Sequence, residues 1–276
     1  MSRVGALALL IGTASGACTV PEPELATSAV DVAEEPDRLE QLFNGDLRVV
    51  DLTHPLSADM PYWPNPSGNP FEHDTMQAHY NGSPSMAAYR TPEHHGTHLD
   101  APVHSQESQP SVDELALEDL FRPAVVIDVT EAAVSDPDLR LTLNRVQEWE
   151  EEHGPVPQGA IVLLKTGWGD RWDEPEAYAS VDSAGVLHFP GYSVEAARFL
   201  VEERDISGIG IDALSVDPGV VDTFAVHDVV NGSGRYHLEN VANLDQLPAT
   251  GAYLIVAPIK IQGGSGGQVR IFAVVP

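Results

Sequence analysis

Four of the eleven histidines lie within one short segment, from His94 to His104. In that segment His94, His98, Asp100 and His104 all occupy even-numbered positions. Side chains two or four residues apart in an extended chain point to the same face. The segment can therefore direct imidazoles and a carboxylate to one side, and these are ligands for zinc, manganese or iron(II). We interpret it as a metal site rather than as a group of unrelated surface histidines.

The backbone must bend for these side chains to meet. Gly96 and Pro102 disfavour a helix across the segment. In a straight strand His94 and His98 would lie about 13 Å apart at their backbones, because each residue advances by roughly 3.3 Å. That separation is near the limit for two side chains that reach one ion through bonds of about 2 Å. The spacing therefore predicts an extended segment that curls at Gly96.

The composition is that of an acidic globular protein. The 276 residues include 42 acidic and 14 basic side chains, which gives a formal net charge of −28. Such a charge repels phosphate backbones and anionic lipid surfaces, so it argues against nucleic acid or a membrane surface as a partner. A hydrophobic content of 42% is sufficient for one domain with a buried core.

The first 18 residues predict an export signal. Arg3 precedes a short apolar run at 4–11, and small residues separate that run from Cys18, the only cysteine. The run is too short for a convincing membrane-spanning helix. Small residues before a single cysteine resemble a lipoprotein signal, although Ser15 replaces the usual leucine. We predict lipid attachment at Cys18 in the bacterial cell envelope, facing the periplasm; plain secretion and an incorrect start site are the alternatives.

The rest of the chain predicts a linker and one mixed α/β domain. Proline and acidic residues at 19–46 indicate a flexible linker, and the folded domain is predicted at 47–276. Continuous apolar runs at 124–129 and 160–164 predict strands covered on both faces. Thr142 and Ser193 are predicted helix caps. Further predicted elements are strands at 48–52, 86–91, 206–211, 253–257 and 269–275, a short helix at 114–121, and a glycine-rich connection at 263–267.

A proline-rich loop offers candidate substrate-binding residues. Tyr62 and Trp63 lie in this loop and Phe71 follows it. These side chains can present an aromatic wall to a ligand, or they can pack the loop onto the core. The sequence leaves both interpretations open.

His227 and Glu239 are more distant candidates. They stand twelve residues apart, and an isolated histidine and glutamate at such a distance would ordinarily be surface residues. Their spacing alone does not bring them to the segment from His94 to His104.

The segment from His94 to His104 resembles the signature of the metal-dependent cyclase family, read as His94-x-Gly96-Thr97-His98-x-Asp100-x-Pro102-x-His104. The best-known members are bacterial kynurenine formamidase and isatin hydrolase. The resemblance runs from about Asp51 to the end of the chain, through 51–56, 210–217 and 227–248. It implies a swivelling β/β/α fold, with a mixed sheet or partly closed barrel flanked by helices. It also implies a homodimer or homotetramer.

The resemblance implies a role for each candidate residue. His94, His98 and Asp100 would be metal ligands, with Asp100 able to bridge two ions, and His227 and Glu239 would complete a second position. Glutamine tends to replace that glutamate in isatin hydrolase-like members, which use one manganese, so Glu239 favours a two-metal, formamidase-like arrangement. His104 resembles the family's acid/base histidine. The cofactor is thus expected to be one or two divalent ions, Zn²⁺ or Mn²⁺, and His95 is expected behind the ligands or at the pocket edge.

The expected function is hydrolysis of a C–N bond in an aryl formamide or cyclic amide by metal-activated water. The substrate would be a small aromatic amide. The export signal complicates a formamidase assignment, because tryptophan breakdown is cytoplasmic, and an isatin hydrolase-like cyclic amide or lactone hydrolase is the first alternative. A metal-binding lipoprotein without catalysis is an alternative of another class. A protein that only binds metal would have no use for the unligated imidazole of His104, so the presence of this histidine argues against that alternative.

Overall fold

The computed structural model describes residues 38–64 and 66–276. The predicted signal, Cys18 and most of the predicted linker lie outside the described residues. The linker prediction is wrong at its end, where Arg38–Asn44 forms a helix, α1. This stretch consists largely of good helix formers such as leucine, glutamate and glutamine, unlike the proline-rich residues before it. Within the described ranges, no helix is long and apolar enough to cross a membrane.

Twelve strands and five further helices follow in the described part of the chain. The strands are β1 (Arg48–Asp51), β2 (Glu72–Gln77), β3 (Met86–Arg90), β4 (His98–Asp100), β5 (Phe121–Asp128), β6 (Arg140–Leu141), β7 (Ile161–Lys165), β8 (Gly191–Tyr192), β9 (Gly208–Ile211), β10 (Tyr236–Glu239), β11 (Ala252–Pro258) and β12 (Gly266–Val275). The helices are α2 (Thr130–Ser135), α3 (Leu143–His153), α4 (Pro175–Ala179), α5 (Val194–Arg204) and α6 (Ala225–Gly232).

Seven of these strands form a closed, mixed sheet. Their order is β12-β11-β5-β7-β9-β10-β4, and β4 pairs back onto β12 to close the ring. Strands β5, β7, β9 and β10 run parallel to one another, whereas β4, β11 and β12 pair antiparallel with their neighbours. The outer strand β1 pairs with the second half of β12. The predicted mixed α/β fold with a barrel-like sheet and flanking helices is confirmed.

Apolar side chains cover both faces of the central strands. Val126 and Leu163 point into the barrel, where they meet residues such as Leu99 and Leu254. Their neighbours Val125 and Leu164 point outward to the layer of helices. This alternation explains why the sequence shows continuous apolar runs at these strands, because each face is buried by a different layer.

Both predicted helix caps are present, but one predicted short helix is not. The Thr142 hydroxyl accepts a hydrogen bond from the backbone N–H of Arg145 at 3.4 Å, and Ser193 does the same for Ala196 at 3.1 Å. The predicted helix at 114–121 is wrong. The chain makes two 3-10 turns, Val112–Glu114 and Leu117–Leu120, before β5 begins. A segment this short depends on tertiary packing, and here the turns place Val112 and Leu120 in the barrel core.

Candidate metal centre

The segment from His94 to His104 curls at Gly96, as predicted. Gly96 has a φ of +67°, a left-handed conformation that side chains rarely adopt. After this turn, β4 places His98 and Asp100 on one face. His98 Nε2 then lies 3.2 Å from Asp100 Oδ1, and His94 Nδ1 contacts the same oxygen.

Strand β10 supplies a second pair of ligand-type side chains. It runs antiparallel to β4, and the register places His237 opposite Asp100 and Glu239 opposite His98. His237 Nδ1 lies 3.1 Å from Asp100 Oδ2, and His98 Nε2 lies 3.5 Å from Glu239 Oε2. The pairing of two short strands therefore joins residues that are far apart in sequence.

Helix α6 brings His227 to the same point. Asp217 accepts hydrogen bonds from the backbone N–H of Val226 and from both the backbone N–H and the Nδ1–H of His227. The carboxylate thus holds the first turn of the helix and the imidazole together. His227 Nε2 is left 3.7 Å from Asp100 Oδ2 and 3.6 Å from Glu239 Oε1.

Hydrogen bonds orient the other two imidazoles. His98 Nδ1–H donates to the Gly96 carbonyl at 2.9 Å, and Asn240 Nδ2 donates to the same oxygen. His94 Nε2–H donates to Ser265 Oγ at 2.8 Å, and that hydroxyl donates to Glu93 at 2.6 Å. Holding one ring nitrogen while the other faces the site is typical of histidines that bind metals.

A glycine provides the space for His94. The predicted glycine-rich connection at 263–267 is wrong at its end, because Gly266 and Gly267 belong to β12 and pair with β4. A Cβ at position 266 would lie 2.7 Å from the His94 ring. The missing side chain therefore lets the imidazole lie against the strand.

The residues fit a divalent cation. His98 Nε2 and both ring nitrogens of His237 are buried and have no hydrogen-bond partner among the described residues, which is rare for buried polar atoms. Bonds of about 2.0–2.1 Å to a tetrahedral ion place the donor atoms about 3.3–3.4 Å apart. The observed nitrogen–oxygen separations of 3.1–3.7 Å match that spacing. A set of imidazoles and carboxylates suits zinc, manganese or iron(II).

The buried carboxylates and imidazoles shift one another's pKa values. Burial, together with the neighbouring Asp100 carboxylate, raises the pKa of Glu239 to about 7. Burial opposes protonation of His98, but Asp100 and Glu239 outweigh it and raise the His98 pKa to about 9. Burial would raise the pKa of Asp100, but the charge of His98 and the hydrogen bonds from His94 and His98 hold it well below its ordinary value. Burial and the nearby His227 lower the pKa of His237, so this imidazole is neutral and able to bind a metal.

His104 lies at the edge of the centre. Its ring centroid is 3.9 Å from that of His94, and one of its nitrogens lies within 4.8 Å of the donor atoms of His94 and Asp100. Desolvation by the surrounding groups lowers the pKa of His104 to about 4, with further lowering by His94 and His227. The imidazole is therefore neutral at pH 7 in the metal-free protein.

The centre opens into a cavity of about 220 Å³. Tyr62 and Trp63 line it, as does His95, whose Nε2 lies 3.1 Å from Asn69 Oδ1. The candidate Phe71 does not line this cavity; it stacks on His73 and packs against the core, which is the second of the two interpretations that the sequence leaves open. Phe224 takes that place in the wall, with its ring 6.2 Å from Trp63 and 5.1 Å from His227.

Sequence reasoning missed His237 and Phe224. His237 stands two residues before Glu239, and residues with this spacing share one face of a strand, so recognition of β10 as a strand would have revealed it. Phe224 precedes His227 by three residues at the start of a helix, which is the spacing of one helical turn.

The family model Cyclase, described as "Putative cyclase", matches residues 50–218. The isatin hydrolase of Roseibium aggregatum is 32% identical over 86% of this chain and 95% of its own length. The kynurenine formamidase of Salinibacter ruber is 27% identical over 81% of this chain and 96% of its own length. The structure of isatin hydrolase A from Ralstonia solanacearum superimposes with a TM-score of 0.82 and 36% identity, covering 87% of this chain and 96% of that one.

Metal binding is expected to release protons and to tighten as pH rises. The metal-free protein holds a proton on His98 below about pH 9 and on Glu239 below about pH 7. Zn²⁺ must displace these protons, so its apparent affinity increases with pH up to about 9 and then levels off. Calorimetric titration of metal-stripped protein in buffers of different ionisation heat measures both quantities. Equal affinity at pH 6 and pH 9, without proton release, would contradict this prediction.

Proposed function

Because this chain belongs to the Cyclase family, we propose that it is a metal-dependent hydrolase that cleaves a C–N bond in a small aromatic amide. The observation that carries this proposal is a buried group of imidazoles and carboxylates that opens into a cavity with a neutral histidine at its edge. We propose Zn²⁺ or Mn²⁺ as the cofactor, since the donor set suits both. A purely metal-binding protein would require neither the cavity nor His104.

Different residues of the site have different roles in the hydrolysis. A divalent cation held by the imidazoles and carboxylates would polarise a carbonyl oxygen and make water more acidic. His104 accepts the proton of the attacking water and passes it to the leaving nitrogen. The Trp63 and Phe224 rings hold the aromatic part of the substrate and exclude bulk water. Asp217 keeps the His227 ring oriented through its hydrogen bond of 2.7 Å.

The substrate class follows from the cavity and the relatives. A volume of 220 Å³ is below the usual range of about 300–1,000 Å³ for ligand pockets, which favours a single small ring system. The isatin hydrolases are more similar to this chain than the formamidase from Salinibacter ruber is, so we place a cyclic amide first. Glu239 favours the formamidase-like arrangement, which keeps an aryl formamide as the second candidate.

A substrate panel tested with the wild-type protein and a His104→Ala variant examines this function. Isatin, N-formylkynurenine and simple lactones are supplied with Zn²⁺ or Mn²⁺, and hydrolysis is followed by absorbance. We expect metal-dependent turnover of at least one amide. Loss of the proton carrier is expected to reduce kcat by about 10²-fold or more, while bound metal remains at the wild-type level.

A His153→Ala variant serves as the matched control, because this histidine lies at the end of α3, outside the cavity. It is expected to keep full activity. No metal-dependent turnover across the panel would refute the proposed function, and an unchanged rate for His104→Ala would remove His104 from the mechanism.

We also propose that the enzyme is exported and anchored through Cys18. The support is the basic start, the short apolar run and the small residues before the only cysteine. Expression in a bacterium with labelled palmitate is expected to label the wild type but not a Cys18→Ser variant. A soluble, unlabelled wild-type protein in the periplasm would indicate plain secretion instead.

We further propose that the enzyme assembles as a homodimer or homotetramer. Every residue of the β2–β3 hairpin is exposed, including Met76, Met86 and Tyr89. An isolated two-stranded hairpin is only marginally stable in water, so packing against a second copy would stabilise it. Light scattering is expected to give at least twice the chain mass of 29.6 kDa, and a monomeric mass would contradict the proposal.

A further inference from the structure

His237 differs from the other ligand-type residues of the centre because it does not line the cavity. Its side chain is 0% exposed, and neither ring nitrogen makes a hydrogen bond within the described part of the chain. Burying an imidazole without partners costs free energy that native proteins normally avoid. Nothing in the catalytic roles given above uses this residue, so its position requires another explanation.

The imidazoles fall into two groups around the two carboxylates. One oxygen of each carboxylate faces the first group, and the other oxygen faces the second. Asp100 Oδ1 and Glu239 Oε2 face His98, and Asp100 Oδ1 also contacts His94. On the other side, Asp100 Oδ2 and Glu239 Oε1 face His227 Nε2 at 3.7 and 3.6 Å. The same two oxygens face His237 Nδ1 at 3.1 and 3.7 Å.

We propose that His237 is a metal ligand, the fourth protein donor to a divalent cation held by Asp100 Oδ2, His227 Nε2 and Glu239 Oε1. Each of these four residues offers one ligand atom that lies within 4.8 Å of the ligand atoms of the other three. Four protein donors form a closed set, which is typical of structural rather than catalytic zinc sites. The inference rests on the metal centre of the proposed function. It adds that the two sides of this centre have different sets of protein donors.

The side of the carboxylates next to His94 and His98 is the one suited to catalysis. The His94 side chain is 27% exposed, whereas those of His227, His237, Asp100 and Glu239 are at most 6% exposed. His104, the proton carrier, also lies on the His94 side. A cation on this side has room for water and substrate, whereas a cation on the His237 side would lie among four side chains that are almost completely buried.

A simple hydrogen bond does not account for His237. Its Nδ1 is close enough to Asp100 Oδ2 for one, but the atoms are not aligned and no hydrogen bond forms. Its other nitrogen also lacks a partner among the residues described. A cation between Nδ1 and the two carboxylate oxygens would satisfy the ring nitrogen and neutralise the buried charges together.

The test is Zn²⁺ titration of the full-length protein, with affinities measured by chelator competition. We expect the wild type to bind two equivalents. His237→Leu is expected to weaken the tighter equivalent by about 100-fold or more, because even the loss of an outer partner of a ligand costs 10–100-fold. His237→Asn, whose amide oxygen can lie near the Nδ1 position, is expected to be intermediate.

His54→Leu is the matched control, since His54 is partly buried and its buried Nε2 also lacks a hydrogen-bond partner among the described residues, but its ring stacks on Trp172. It is expected to bind both equivalents like the wild type. If His237→Leu also binds both equivalents as tightly as the wild type, the proposal is overturned.

A measurement on the unaltered protein covers the case in which His237→Leu does not fold. Crystals grown with Zn²⁺ are expected to show an anomalous peak at bonding distance, about 2.0–2.1 Å, from His237 Nδ1. An occupied centre with no metal at that nitrogen would overturn the proposal. Zinc bound through His237 in a protein that hydrolyses no amide would uphold this inference while refuting the proposed function.

Discussion

The whole site depends on two carboxylates that are buried side by side. Asp100 and Glu239 are both nearly inaccessible to water, and an isolated buried carboxylate is very costly unless an opposite charge accompanies it. In the metal-free protein, protons on Glu239 and His98 provide that compensation, which explains why the pKa of each is raised. A cation provides the same compensation without protons. The imidazoles around the carboxylates are therefore needed both to bind an ion and to make the fold tolerate the negative charge.

The position of these carboxylates follows from how the barrel closes. Strand β4 has only three residues, yet it pairs with β10 on one side and with β12 on the other. Its central residue, Leu99, points into the barrel core, while His98 and Asp100 point to the opposite face. The same strand that completes the hydrophobic core thus presents the ligands. A shift of one residue in register would exchange the two faces and place charged side chains in the core.

Sequence reasoning captured the features that depend on neighbouring residues. The curl at Gly96 could be predicted because only a bend lets His94 and His98 converge, and the buried strands could be predicted from apolar runs such as that at 160–164. The features that it missed depend on distant contacts. His237 reaches the metal centre only because the register between β4 and β10 places it opposite Asp100. Phe224, and not Phe71, lines the cavity because α6 starts next to Trp63. The two errors of secondary structure have other causes: the helix at 38–44 lies in a stretch that was assigned to the linker despite its helix-forming residues, and the short segment at 112–120 follows its tertiary surroundings more than its composition.

Closure of the barrel and occupation of the centre are linked by this geometry. The donors come from β4, β10 and α6, three elements that meet only in the folded chain, so an ion bound by all of them favours the native state over the unfolded one. The chain has 28 more negative than positive charges at neutral pH, and this excess opposes compaction. A divalent cation between β4 and β10 would reduce that repulsion where the Asp100 and Glu239 carboxylates are buried together. The side chains that bind the ion thereby also stabilise the closed sheet on which they lie.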